Sequence, residues 1–257
     1  MPELDGKVAI VTGSGRGIGE QVARKLAEAG AQVVVSDRDG DEAQAVAGSL
    51  DGASVHVGDL TAAGVCEELV ASAVAAHGKL DIVVNNAGYA WDAPLHKVTD
   101  EQWEAMIAIH TTVPFRVLRA AAPHLRGAAK EDREMDREVF RKVVNVASLA
   151  GVFGNAGQAA YAAAKGGVIG LTRALAKEWG GQKINVNAVA FGVIDTRLLD
   201  SIPEAGRQAF ATAIPIGRPA TPEEAARGVY VLCSPASDYI HGQVLNVSGG
   251  LSLGMAG

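Results

Sequence analysis

Tyr161 and Lys165 stand four residues apart in Tyr161-Ala162-Ala163-Ala164-Lys165, and Ser148 lies upstream at the end of an apolar run. On a helix, positions i and i+4 share one face, so a phenol and an ammonium at this spacing can converge on one ligand. A free tyrosine loses its proton only near pH ~10. A lysine cation beside it stabilises the phenolate, which makes Tyr161 a candidate acid or base at neutral pH. A Tyr-x-x-x-Lys quartet recurs by chance in many helices, so the case rests on what accompanies it.

What accompanies it is a glycine-rich turn near the N-terminus, Thr12-Gly13-Ser14-Gly15-Arg16-Gly17-Ile18-Gly19, set between the apolar run Val8 to Val11 and a helical stretch from Gln21 to Ala29. In that setting backbone amides approach a pyrophosphate, and the helix N-terminus adds partial positive charge. Gly13, Gly17 and Gly19 fit the role. About twenty residues on, the second apolar run ends in Val35-Ser36-Asp37-Arg38. A carboxylate there accepts hydrogen bonds from the adenosine ribose and repels a 2′-phosphate, which favours NAD. Arg38 keeps NADP open, since its guanidinium binds that phosphate if Asp37 swings aside.

These groups need elements to hold them. Short runs rich in valine and isoleucine begin at Lys7, Gln32, Ser54, Leu80, Lys142, Ile184 and Val244, and alanine-rich segments lie between them. Their near-continuous apolarity predicts strands covered on both faces. The expected fold is α/β, a doubly wound, Rossmann-type parallel sheet of seven strands with helices on both faces. The length, 257 residues, suits one domain over 1–257. Thr221-Pro222-Glu223-Glu224 and Thr99-Asp100-Glu101-Gln102 both fit a capping box and predict helix starts. From Gly127 to Glu138 the chain is a dense mix of charges that reads as a solvated loop or helical extension, with a docking surface as the other reading.

Composition narrows the function further. Cys66 and Cys233 are far apart and form no Cys/His cluster, so neither a metal site nor a disulfide framework is expected. Val8 to Val11 is too short for a signal, no apolar stretch reaches the ~18 residues of a membrane span, and a cytoplasmic protein is expected. A net charge of −6 argues against nucleic acid as a partner.

Over nearly its whole length the chain resembles the short-chain dehydrogenase/reductase family. Thr12 to Gly19 is similar to the family's TGxxxGxG turn, Asn85-Asn86-Ala87-Gly88 to its NNAG motif, and Gly242 to Gly250 to its last strand. Ser148, Tyr161 and Lys165 match its catalytic serine, tyrosine and lysine. The resemblance implies cofactor contacts at Gly13, Arg16, Gly17, Ile18, Gly19, Asp37, Asn86, Ala87 and Gly88. It adds Asp59 and Leu60 at the adenine, Ile194 and Thr196 at the nicotinamide carboxamide, and Tyr161 and Lys165 at the ribose. It implies that Tyr161 protonates a carbonyl oxygen as hydride arrives, or takes the alcohol proton in reverse. Ser148 polarises the same oxygen, and Lys165 holds the nicotinamide ribose and lowers the tyrosine pKa.

The chain departs from the family where His110-Thr111-Thr112-Val113-Pro114-Phe115 replaces an NxxGxF-like pattern. The family's asparagine leaves a backbone carbonyl free for a relay water. Here Pro114 lacks the amide that would bond the carbonyl of His110, so a kinked helix with a free His110 carbonyl is expected, and the ring of His110 adds a titratable group to the catalytic set. Phe191-Gly192 and Ser248 are smaller departures. Between 190 and 220, Leu198, Leu199, Ile202, Phe210 and Ile214, punctuated by Pro203 and Pro215, suggest an amphipathic lid. The resemblance is greatest to 3-oxoacyl thioester reductases. Hydroxysteroid, sugar or other secondary-alcohol dehydrogenases are the alternative, and a non-catalytic dinucleotide-binding regulator the third reading. The expected partner is a small carbonyl or alcohol substrate. If it is carrier-bound, Arg119, Arg126, Arg197 and Arg207 are candidates for a docking patch. Small residues from Ala159 to Gly167 and Ala174 to Ala176 allow close helix approach, and the family analogy implies a homotetramer or homodimer.

Overall fold

The computed structural model describes residues 2–196 and 212–251. Seven strands, β1 (Val8–Thr12), β2 (Gln32–Asp37), β3 (Ser54–Val57), β4 (Ile82–Asn85), β5 (Arg141–Ser148), β6 (Ile184–Phe191) and β7 (Val244–Val247), form one sheet in the order β3-β2-β1-β4-β5-β6-β7. Every pairing is parallel. The expected doubly wound sheet is borne out, with β5 and β6 reaching further than their most apolar residues suggested, to Ser148 and Phe191.

The helices are α1 (Gly17–Glu28), α2 (Gly40–Gly48), α3 (Val65–His77), α4 (Asp100–Ile107), α5 (Val113–Glu134), α6 (Leu149–Phe153), α7 (Ala159–Trp179) and α8 (Pro222–Cys233). Successive strand residues face opposite ways, and the core divides accordingly. Ala9, Val11, Ile82, Val84, Val144 and Val146 pack with α1, α2 and α8, whereas Ile10, Val83 and Val143 pack with α3, α5 and α7. Burial on both faces is why the strands read as unbroken apolar runs and not as an alternation.

Both capping boxes form. Thr99 and Thr221 accept from the amides of Gln102 and Glu224, whose side chains accept from the Thr99 and Thr221 amides in return. The charged stretch is helical as far as Glu134, because Asp132 is buried and accepts from Arg141 at 2.8 Å and Arg137 at 2.7 Å. Where a kink was expected, the chain makes a π-helical turn, Ala108–Thr112, in which the Val113 amide donates to the Ala108 carbonyl. Helix α5 follows, with Pro114 in its first turn, where its missing amide is tolerated, and Pro123 in its interior. Leu198, Leu199, Ile202, Pro203 and Phe210 of the expected lid, with Arg197 and Arg207, lie outside the described residues, and Ile214 is buried.

Candidate active site

The C-terminal ends of β1, β4 and β5 carry the site, as parallel sheets of this kind require. Ser148 closes β5 and caps α6, its Oγ accepting from the Ala150 amide at 3.2 Å. Tyr161 is in the first turn of α7, close enough to Ser148 for that side chain to draw its pKa down. One turn on, the buried Lys165 donates from Nζ to the Val146 carbonyl of β5 at 2.6 Å, and its ammonium is 5.7 Å from the Tyr161 ring centroid. Gly151 permits this approach, since a Cβ there would be 2.6 Å from the Cβ of Lys165. Serine, tyrosine and lysine, read from sequence as a convergent set, are therefore brought together.

Burial dominates the electrostatics. It lowers the Lys165 pKa to about 7. It raises that of Tyr161, against the pull of Ser148 and with help from the Asp92 charge. The phenol pKa thus lies above its ordinary value and not below it as expected from Lys165, because burial disfavours the phenolate most strongly.

His110 adjoins this set. Its ring meets that of Tyr161 edge-on, with centroids 5.1 Å apart and planes at 89°. Nε2 is 2.7 Å from the Tyr89 carbonyl, an acceptor only, which assigns the proton to Nε2 and leaves Nδ1 as a bare acceptor. That Nδ1 is buried and without a partner. Burial, then the charge of Lys165, lower the His110 pKa to about 3 despite the bond to Tyr89. The ring is therefore neutral through the working range and does not titrate there as the sequence suggested. Gly88 has to be glycine against it, since a Cβ would fall 2.2 Å from His110 Cε1.

The glycine turn has a geometry that could cradle a phosphate. Gly13 and Gly17 have φ of 63° and 59°, and a Cβ on Gly13 or Gly19 would meet the backbone of Ala87 at 2.8 Å or of Gly13 at 2.1 Å. Helix α1 starts at Gly17 after Arg16, with no side chain capping its first amides, which suits an anion. Asn86 donates to the carbonyls of Thr12 and Gly13 at 2.9 and 3.0 Å, so the segment after β4 is tied to the turn after β1. Asp37 ends β2 and accepts from the amides of Gly15 at 3.0 Å and Asp39 at 3.2 Å. Asp59 accepts from Thr61. The side chain of Leu60 packs into the core beside α3 and its carbonyl accepts from Cys66, so a nucleotide contact there is confined to what backbone remains. Ile194 is buried and bridges to Ala220, with half-buried Thr196 two residues on.

Some supporting residues escaped the sequence reading. Gln158 donates to both oxygens of Asp92 at 3.0 and 2.9 Å, and the Ala93 amide donates to the Gly157 carbonyl, which docks the loop after β4 onto the loop before α7. Asn85 donates to Asn145, and Asn145 to Thr172, beneath the site. Asn85 at the end of one apolar run and Asn145 inside the other were the available signal. Asp92 and Gln158 gave none.

Comparison with known proteins agrees with this geometry. The family model described as enoyl-(acyl carrier protein) reductase matches residues 13–252. The chain is 36% identical over 255 residues to a 3-oxoacyl-(acyl-carrier-protein) reductase of Thermotoga maritima, covering 96% of this chain and 98% of that one. The Vibrio cholerae protein of the same name is 38% identical, with 96% and 98% covered. An acetoacetyl-CoA reductase of Shinella zoogloeoides is 36% identical, with 95% and 98% covered. The chain belongs to the short-chain dehydrogenase/reductase family. A solved short-chain dehydrogenase, the gluconate 5-dehydrogenase of Burkholderia cenocepacia in complex with NADP and tartrate, superposes with a TM-score of 0.88 at 32% identity, covering 97% and 96% of the two chains. As a short-chain dehydrogenase/reductase the protein is an NAD(P)-dependent oxidoreductase, and the cradle around Gly13 to Gly19 fits that nucleotide.

Proposed function

We propose that the protein reduces the ketone of a 3-oxoacyl thioester to a secondary alcohol, on one domain spanning 1–257. The observation that carries this reading is the Ser148–Tyr161–Lys165 convergence in a chain alike throughout to reductases of such thioesters. NAD(P)H, when bound, supplies the hydride. Ser148 and Tyr161 hydrogen-bond the carbonyl oxygen, and Tyr161 delivers its phenolic proton there as negative charge develops. A phenol held above its ordinary pKa by burial is protonated at neutral pH and suits this acid role. Lys165, as ammonium, stabilises the phenolate left behind, and protons would return through a water held by the His110 carbonyl, which the missing Pro114 amide leaves free.

NADH is the proposed donor. Two backbone amides hold Asp37 in place, and a carboxylate fixed there repels a 2′-phosphate. Exposed Arg38 and the NADP of the gluconate 5-dehydrogenase favour the phosphorylated form. Tyr89, Trp91, Val152 and Phe153 leave apolar surface exposed on the segments that carry the site, which suits an acyl chain. No helix among the described residues is long and apolar enough to cross a membrane, and a cytoplasmic homotetramer or homodimer assembled through α5 and α7 completes the proposal.

Initial rates with a short 3-oxoacyl thioester, comparing NADH with NADPH at equal concentration, test it. Turnover favouring NADH is expected. Turnover favouring NADPH removes the role given to Asp37. No turnover with either removes the thioester, and steroid and simple alcohol substrates come next.

A further inference from the structure

We propose that Asp92 is a positioning residue for the reaction: through Gln158 it fixes the first turn of α7, and its carboxylate keeps the Tyr161 hydroxyl in the proton-bearing form. The inference rests on the acid role given to Tyr161 above and not on the identity of the substrate. Asp92 is exposed on the loop after β4. Gln158 Nε2 donates to both of its oxygens, at 3.0 and 2.9 Å. The orientation of that amide is itself fixed, because its Oε1 accepts from Asn155 Nδ2 at 2.9 Å, and a flipped amide would set oxygen against carboxylate. Backbone bonds secure both sides of the contact. The Ala93 amide donates to the Gly157 carbonyl at 2.8 Å, and the Ala162 amide to the Gln158 carbonyl at 2.7 Å. Gln158 is thus the residue from which α7 starts, with Tyr161 in its first turn.

The carboxylate is held by a neutral side chain, and it forms no ion pair among the described residues. Its charge therefore stays available to the phenol. Three titratable groups face Tyr161: Lys165, its ammonium 5.7 Å from the ring centroid, His110, 5.1 Å away edge-on, and Asp92 from the loop. Ser148 faces it too and does not titrate. His110 is neutral, and Lys165 gives up its charge near pH 7. Above that pH Asp92 is the charge that remains, and a like charge disfavours the phenolate. An arginine in the place of Gln158 would dock the loop equally well and cancel this effect. The consequence is one-sided. Reduction, which needs the phenol, finds it loaded, whereas oxidation of the alcohol, which needs the phenolate, waits for a higher pH.

Enzyme labelled with 3-fluorotyrosine, whose phenol is more acidic than that of tyrosine and so titrates in a measurable range, tests this without a substrate. With oxidised NAD saturating in every sample, the fluorine resonance lost in Tyr161→Phe is followed with pH. Asp92→Asn keeps an acceptor for Gln158 and removes the charge. Its midpoint is expected to fall about 0.3–1 pH unit below that of the wild type at an ionic strength of about 0.01 M. The difference is expected to shrink to less than half at about 1 M, where the screening length drops from ~30 to ~3 Å. Asp92→Glu is expected to return the midpoint towards the wild-type value, which a merely structural contact would not do. Equal midpoints in the wild type and Asp92→Asn, or a difference indifferent to salt, overturns the proposal. Failure of the thioester as substrate leaves this titration unchanged, so the two readings fall separately.

Discussion

At the scale of single residues, burial sets the chemistry. Tyr161→Phe removes the proton donor and little else, so turnover is expected to fall about 10²–10⁴-fold while dinucleotide binding, followed by fluorescence titration, stays within about twofold. Lys165 supports the reaction as ammonium. Rates of reduction are therefore expected to be level at acid pH and to fall as pH rises through about 7, where Lys165 loses its proton. The same group opposes folding. Its folded pKa lies below the unfolded value of ~10.4, so the unfolded chain binds more protons between the two, and the penalty is full below pH 7 and fades towards pH 10. Lys165→Met is expected to raise Tm at pH 7 by about 3–8 °C in an inactive protein, with the gain shrinking at pH 10 in calorimetric scans. The residue types were legible in sequence. The direction of the Tyr161 shift and the neutrality of His110 were not, because both depend on burial by segments remote in the chain, such as Tyr89 and Asp92.

Among elements, legibility followed the strength of the local signal. The strands were readable because burial on both faces leaves an unbroken apolar run, and the capping boxes because all their partners lie within four residues. Thr221→Ala removes the hydroxyl that caps α8 and is expected to lower stability by about 1 kcal/mol in urea unfolding, with activity intact. The π turn at Ala108–Thr112 left no hydrophobic signature beyond Pro114, since a shift of one hydrogen-bond register does not alter which residues are apolar. Pro114→Ala restores an amide and is expected to tighten this turn, withdrawing His110 from Tyr161. Activity should then drop several-fold in kcat with KM little changed. Unaltered kinetics, with a regular helix in the variant structure, would remove both the positioning of His110 and the relay through its carbonyl.

For the whole molecule, buried clusters cover both faces of the sheet, and the active site gathers at the C-terminal ends of its strands, with Thr12 and Asn86 from the first half of the chain and Ser148 and Tyr161 from the second. The doubly wound plan was legible because helices and strands alternate along the chain. The docking of the Asp92 loop on Gln158 was not, because these residues meet across 66 positions of sequence. The strand order β3-β2-β1-β4-β5-β6-β7 also imposes a timetable on synthesis. Winding starts at the middle strand, runs outward to β3, returns to lay β4 beside β1, and only then proceeds towards β7. The nucleotide-cradling half can therefore assemble while the catalytic half is still being translated, and until β5 emerges it presents β4 as a bare, apolar edge. Ribosome-bound chains arrested between β4 and β5 should accordingly be the most dependent on chaperones, a vulnerability that ends as β5 seals the edge and delivers Ser148.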